Sequence, residues 1–386
     1  MPTEIDVTTT AALPALQAGE WIRADNESLL DNGYQWITDV IETSDGLVAS
    51  GIDSSQTDPD AVIWISPDGT SWTRVLSPLF GGPQAQGIHD LASGGPGIIA
   101  VGFDGSGGNF DAAVWASVDG TEWIRVLDPG FNDDGDQEIR TIVATDSGFV
   151  AAGHDMSGNQ VDAAIWVSPD GLQWSRVFDP ALGGFGNQRI YSIAVGEHGL
   201  VAAGSNYWPN QFGLYHMDAR VWVSPDGISW SFIDDPIFEG PGWQFVSAVS
   251  AGPEGYVAAG TNILGRPGVD NDVAVWVSTD GQAWTKVAEE TFAVPLVQRV
   301  SAMTYGPQGF VAVGYDTTTA GNRIPAVWLS ADGTAWAQIE GAAFTEPGHR
   351  WMNTVTTGGP GLVAAGADGT RPMGDPAVWL YPLVGP

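Results

Sequence analysis

Cysteine is absent from the chain, and lysine is almost absent, with Lys286 its single representative. The first absence excludes a disulfide framework, a thiolate nucleophile and any Cys-based metal site. The second leaves 12 Arg and one Lys against 33 Asp and 13 Glu, a net charge of -33. Such a surface repels nucleic acid and anionic membranes, so neither is expected as a partner. A carboxylate-rich, lysine-poor surface also suits a salt-rich environment. No apolar run is long enough to cross a bilayer. The stretch "MPTEIDVTTTAALPALQAGE" has neither a basic start nor an apolar core, so it does not read as an intact signal peptide. Residues 1–18 are expected to be a disordered extension or the start of a mature secreted form. An extracellular or periplasmic location is expected, with the cytoplasm left open. The five His are scattered singly, and no H-E-x-x-H, P-loop or dinucleotide motif occurs.

What the chain does have is Gly 52, Pro 25 and Trp 18 in a short repeating pattern. The string "GLVASG" at 46 recurs as "GIIAVG" (97), "GFVAAG" (148), "GLVAAG" (199), "GYVAAG" (255), "GFVAVG" (309) and "GLVAAG" (361). A second apolar string ends in Trp64, Trp115, Trp166, Trp222, Trp276, Trp328 and Trp379. Six of these run into an S-x-D-G-x-x-W hairpin such as "SPDGTSW"; the seventh runs into "LYPLVGP". A period near 50 residues with turn residues between short apolar runs predicts four antiparallel strands per unit. The fold expected is all-β: a seven-bladed β-propeller filling residues 19–386 as one monomeric domain. The seventh unit lacks its fourth strand, and "GEWIR" at 19–23 supplies it, with Trp21 and Arg23 in the places of Trp72 and Arg74. Closure of this kind removes the exposed edges of an open array.

The hairpins resemble the Asp-box (BNR-like) repeats of sialidase-like propellers, although one residue tighter between Asp and Trp. The resemblance implies that Asp68, Asp119, Asp170, Asp226, Asp280 and Asp332 tie the turn backbone, which Asp-Gly turn chemistry also requires.

The loops between second and third strands are long, and those from Asn206 to Asp218 and Asn262 to Asp272 are the longest of the first five. Binding residues concentrate on such loops. Fourteen Trp fall at the two repeated positions and are expected in the core. Trp36, Trp208, Trp243 and Trp351 do not, and with Tyr207 they form the expected ligand-binding set, for a carbohydrate or protein partner. The first strands repeat Gln (Gln35, Gln86, Gln137, Gln188, Gln244, Gln298, with Arg350 in the seventh place), read as a structural ring at the channel mouth. Three residues on, Thr38, His89, Arg140, Tyr191, Ser247, Ser301 and Asn353 are polar and expected to face the channel.

A sialidase-like site, as the resemblance implies, needs convergent arginines, a Tyr paired with a carboxylate, and an acid. Arg140, Arg189, Arg299, Arg350, Tyr191, Glu138, His89 and Asp90 are the candidates for it. "NRIP" at 322–325 lies in the wrong register for that family's "RIP" and reads as chance. Arg23, Arg74, Arg125, Arg176 and Lys286 share one outer-strand position and read as structural. The loop pairs Asp104/Asp111 and Asp155/Asp162 are weak Ca²⁺ candidates, set against turn capping; no other cofactor is expected. A non-catalytic carbohydrate- or protein-binding propeller is the leading reading, and a glycan-cleaving enzyme, hydrolase or lyase, its alternative.

Overall fold

In each repeat, strands follow where the pattern puts β-branched and small apolar residues between Gly-bounded turns. The structure is a computed structural model. It describes residues 20–24, 29, 33–132, 134–209, 215–240, 242–263, 271–287, 292, 297–318, 321–346, 348–359, 361–370 and 374–382. The expected extension over 1–18 lies outside the described residues. Repeat 1 comprises strands Gln35–Thr43, Gly46–Asp53, Asp60–Ser66 and Thr73–Val75, hydrogen-bonded in that order. Repeats 2, 3 and 6 form separate four-stranded antiparallel sheets of the same order. Repeats 4 and 5 share one eight-stranded sheet through a single parallel bridge, Met217 to Trp243. The last sheet joins Arg350–Gly358, Gly361–Asp368 and Asp375–Pro382 to the two-residue strand Ile22–Arg23, paired Ile22 to Leu380 and Arg23 to Trp379. The architecture is consistent with a β-propeller.

The second and third strands are buried on both faces because each sheet is covered on both sides. The apolar clusters lie between successive repeats. One packs Val48 and Ile63 of repeat 1 against Ile88 and Trp115 of repeat 2, and another packs Val363 and Leu380 of repeat 7 against Ile37 and Trp64 of repeat 1. All fourteen repeated Trp are buried. Third-strand Trp residues also fasten neighbours: the indole N–H of Trp115 donates to Leu79 O at 2.9 Å and that of Trp166 to Gly130 O at 2.8 Å.

The S-x-D-G-x-x-W hairpins are self-contained turns. Asp68 Oδ1 accepts from the N–H of Thr70 (2.8 Å) and Ser71 (2.9 Å), Ser66 Oγ accepts from Gly69, and the Trp72 indole donates to Gly69 O. The other five Asp repeat the arrangement. These carboxylates are used up by the turn.

The repeated Gln are structural, but their place differs from the expected ring at a channel mouth. They are buried at the base of the long loops, where Gln86 Nε2 donates to Ser106 Oγ at 2.9 Å and Gln298 Nε2 to Asp316 Oδ1 at 3.1 Å. In Gln86 and Gln298 the amide nitrogen ties strand to loop as a donor.

Candidate functional site

The site begins with a defect in the ladder. The register between first and second strands shifts once in every repeat, between Ile37 and Asp39, Ile88 and Asp90, Ile139 and Thr141, Ile190 and Ser192, Val246 and Ala248, Val300 and Ala302, and Met352 and Thr354. The extra residues are the seven expected channel positions. A β-bulge re-aims its extra side chain and needs a close approach of the opposite backbone. The terminal Gly of the "G-x-x-A-x-G" string allows it: a Cβ on Gly204 would overlap the carbonyl oxygen of Arg189. The motif and the channel residues are therefore two halves of one device.

All seven extra residues line a cavity of about 660 Å³ that opens at the long-loop end. They are not equivalent. Thr38 Oγ1 donates to Ile88 O (2.8 Å), Ser247 Oγ to Val300 O (2.6 Å) and Asn353 Nδ2 to Ile37 O (2.7 Å), each fastening the neighbouring first strand. His89, Arg140 and Tyr191, on three consecutive repeats, are the bulky members. Tyr191 Oη lies 3.0 Å from Ser205 Oγ, and Glu138 reaches back to Arg140 Nη2 at 2.6 Å and His89 Nε2 at 3.8 Å. Asp90 is not on this wall. It lies deeper in the channel, accepting from Ile142 N–H at 2.8 Å beside Asp39, which accepts from Leu91 N–H at 3.1 Å and from Thr354 Oγ1 at 2.6 Å. Burial first, and then the Asp39 carboxylate, push the Asp90 carboxyl well above its usual range.

The wall is cationic. Arg140, Arg189, Arg299 and Arg323 all line the cavity, and among the described residues no Asp or Glu does. The two histidines report the same field. Burial and then Arg140 hold His89 well below its ordinary value, and burial, Arg189 and Arg140 bring His154 down to about 3. Both are neutral at physiological pH, so the arginines supply the charge.

Arg350 corrects an expectation. It is buried away from the cavity, donating from Nε to Asp368 at 2.9 Å and from Nη1 to Glu346 O at 3.0 Å. It stands in the place of a structural Gln and does that work with a charge. Arg323, in the "NRIP" set aside as chance, is the residue missed. Its guanidinium lies 4.5 Å from the Tyr315 ring centre and 5.2 Å from that of Trp351. A signal existed: Ile324 interrupts the series of Asp four residues before the third-strand Trp. Tyr315, Phe245, Ile52 and Met217 complete the wall and carried no repeat-breaking signal.

The five expected ligand-binding aromatics divide in two. Trp36 and Trp351 line the cavity from adjoining first strands. Tyr207, Trp208 and Trp243 do not; they lie beyond Met217, which pairs in register with both Tyr207 and Trp243.

The shared outer-strand cations are structural, as expected: Arg74 pairs with Asp53 (2.6 Å), Arg125 with Asp104 (3.3 Å), Arg176 with Asp155 (3.3 Å) and Arg23 with Asp368 (2.6 Å). Asp104 and Asp155 also cap the N–H of Ser106 and Ser157. Asp111 accepts from Asn109, and burial raises both Asp111 and Asp162 above the usual carboxylate range. Among the described residues, no group of three His, Cys, Asp or Glu is placed to hold a metal ion.

No protein-family model matches the chain, and no curated protein resembles it in sequence. Solved structures do resemble it in fold. A Trypanosoma rangeli sialidase bound to 2,3-difluorosialic acid aligns at a TM-score of 0.51 and 12% identity, over 92% of this chain and 54% of that one. The Pseudomonas aeruginosa periplasmic gluconolactonase aligns at 0.50 and 9%, over 81% of this chain and 87% of that one. A Penicillium chrysogenum α-L-arabinanase complexed with arabinobiose aligns at 0.46 and 14%, over 93% and 97%. The chain spans about half the length of the sialidase. At these identities the likeness is one of fold, and no helix among the described residues is long and apolar enough to cross a membrane.

Proposed function

We propose that the seven repeats are the blades of one closed propeller, and that its central cavity binds a carboxylate-bearing saccharide without cleaving it. Closure is supported by the apolar cluster between repeats 7 and 1 and by the Arg23 strand that completes the last sheet. The observation that carries the binding reading is the gathering of four of 12 arginines on one cavity wall of a molecule with net charge -33. Arg140 is paired with Glu138 beside the wall, whereas Arg23, Arg74, Arg125, Arg176 and Arg350 pair with carboxylates away from the cavity. A planar guanidinium fork fits a carboxylate. Trp36, Trp351, Tyr315 and Phe245 on the same wall offer apolar faces to the C–H face of a sugar ring, and so favour a sugar acid over a bare anion.

The glycan-cleaving alternative is favoured by the fold likeness alone. The Tyr–carboxylate pair of a sialidase-like mechanism is not assembled, since Tyr191 bonds Ser205 and Glu138 pairs with Arg140. Two facing carboxyl groups, which other glycoside hydrolases need, are not on the wall among the described residues.

Calorimetric titration with D-glucuronate, D-galacturonate, N-acetylneuraminate, inorganic phosphate and D-glucose tests the reading. Binding of a sugar acid but not of glucose, lost in Arg189→Gln combined with Arg299→Gln, supports it. Phosphate binding as tightly as every sugar acid, or no binding by any of them, overturns it. Release of fluorophore from a panel of acidic glycosides by the wild type, abolished in Tyr191→Phe, would establish the enzyme instead.

A further inference from the structure

The cavity holds more positive charge than one carboxylate balances. Of its four arginines, Arg140 is offset by Glu138 at 2.6 Å. Arg189, Arg299 and Arg323 have no carboxylate partner among the described residues. Their guanidinium groups cannot shed the charge by losing a proton. Arg189 and Arg323 are half-buried, where solvent ions screen them least, and Arg299 is exposed. Nor does the repeat call for cations here. In the register of Arg189 and Arg299 the other repeats carry Trp36, Gly87, Glu138, Phe245 and Trp351.

The three cations without a carboxylate fall into two groups. Arg299 pairs in register with Tyr315, and the Tyr315 ring centre lies 4.5 Å from the Arg323 guanidinium, so both cations of repeat 6 flank one ring. Arg189 stands apart from them, on repeat 4. The first strands touch in chain order, Asn187–Gly196 against Trp243–Gly252 and that strand against Gln298–Gly306, so repeat 5 lies between. Repeat 5 lines the cavity with Phe245 and Ser247, neither of them charged. The Phe245 ring meets Tyr191 of repeat 4 edge-on at 6.3 Å and lies 5.6 Å from the Arg299 guanidinium. An aromatic ring therefore stands between the repeat 4 and repeat 6 sides of the cavity.

We infer that the cavity takes a saccharide with two acidic groups, of the class of two linked uronate residues. One carboxylate meets Arg189, the other meets Arg299 and Arg323, and the uncharged part of the ligand crosses Phe245. This rests on the reading of the cavity as a sugar-acid site, and it specifies the ligand class. The charge count favours it: a single carboxylate leaves one cation group without a partner, whereas two carboxylates occupy both. The size agrees, since about 660 Å³ falls within the range of cavities that enclose drug-sized ligands, and two linked sugar rings are of that size. Selection here works by rejection as well as attraction, because a neutral or singly charged ligand desolvates arginines that it does not pair.

Calorimetric titration of the wild type with D-galacturonate, digalacturonate and the mono-methyl ester of digalacturonate tests the inference. The ester keeps the size of the disaccharide and removes one charge. Digalacturonate is expected to bind about tenfold more tightly than the ester. Arg189→Gln should erase that difference, because it leaves one cation group. Equal affinity of digalacturonate and its ester for the wild type overturns the second acid position, while binding of galacturonate keeps the cavity reading standing. A tenfold difference that persists in an Arg189→Gln protein of unchanged melting temperature overturns it as well. If none of the three ligands binds, the cavity reading falls and this inference with it.

Discussion

The guanidinium of Arg323 lies 5.2 Å from the centre of the Trp351 ring, joining repeats 6 and 7 on the cavity wall. Stacking of this kind fixes a planar cation in one orientation while leaving its edge free for a carboxylate. Arg323→Lys keeps the charge and loses the fork. It is expected to weaken sugar-acid binding about tenfold, with Arg323→Gln no worse than a few-fold beyond that. Calorimetric titration of the two variants checks this, and full affinity in Arg323→Lys would show that charge alone suffices.

His89 lines the cavity and His154 is buried outside its lining, and neither gives the site a charge that switches near neutral pH. A histidine of ordinary pKa would gain charge on acidification and strengthen anion binding. His89 is held well below that value by burial and Arg140, and His154 sits at about 3. His154 therefore stays neutral down to about pH 5, and His89 is shifted in the same direction by burial and Arg140. Affinity for glucuronate should therefore be flat from about pH 8 to about pH 5 and fall only as the ligand's own carboxyl takes up a proton. A rise in affinity centred near about pH 6.5 would contradict it.

Ionic strength acts on two scales. The net charge of -33 repels an approaching anion over roughly a Debye length, about 10 Å at 0.1 M salt, whereas the guanidinium contacts inside the cavity are screened less. Association with glucuronate is expected to quicken between about 0.02 M and about 0.15 M sodium chloride, as measured by stopped flow. Slowing over the same interval would mean that the cavity field dominates at long range.

The Asp39–Asp90 pair makes stability depend on pH in an unusual direction. Asp90 is raised above its unfolded value, so its contribution is fully present below the ordinary carboxylate range and is lost as pH rises through the folded value. Leu91 and Ile142 N–H and the Thr141 and Thr354 side chains surround the pair, with no cation among its hydrogen-bond partners. Asp90→Asn keeps an acceptor for Ile142 and offers a donor to Asp39. Its melting temperature should exceed that of the wild type at about pH 8, and the two should converge near about pH 4. Equal melting at both values would refute the shared burden.

Trp21 tests the joint between the chain's two ends. It is 4% exposed and its ring lies 5.9 Å from Phe344 and 5.6 Å from Tyr381. Trp21→Ala should cost about 3 kcal/mol or more in denaturant unfolding, as other buried aromatic truncations do. A change below about 1 kcal/mol would mean that the strand is not part of the core.

The amino-acid sequence by itself determined the strands, the turns, the fourteen buried Trp and the pairing of "GEWIR" with the last sheet. These are local patterns written seven times, and each copy averages out the accidents of the others. It also marked the seven bulge positions, because a residue polar in every first strand has no place in an apolar interface. What it could not decide was which polar residue does what. Arg350 and Arg323 look alike in the chain, yet one is buried against Asp368 and the other stacks on the cavity wall. Asp39 and Asp90 lie 51 positions apart and share a proton environment only because neighbouring first strands converge. The cavity takes its extra residue from each repeat, so its charge and its aromatic side arise from how the sheets pack against one another. That arrangement is a property of the tertiary structure, where contacts between distant repeats override what any single repeat encodes.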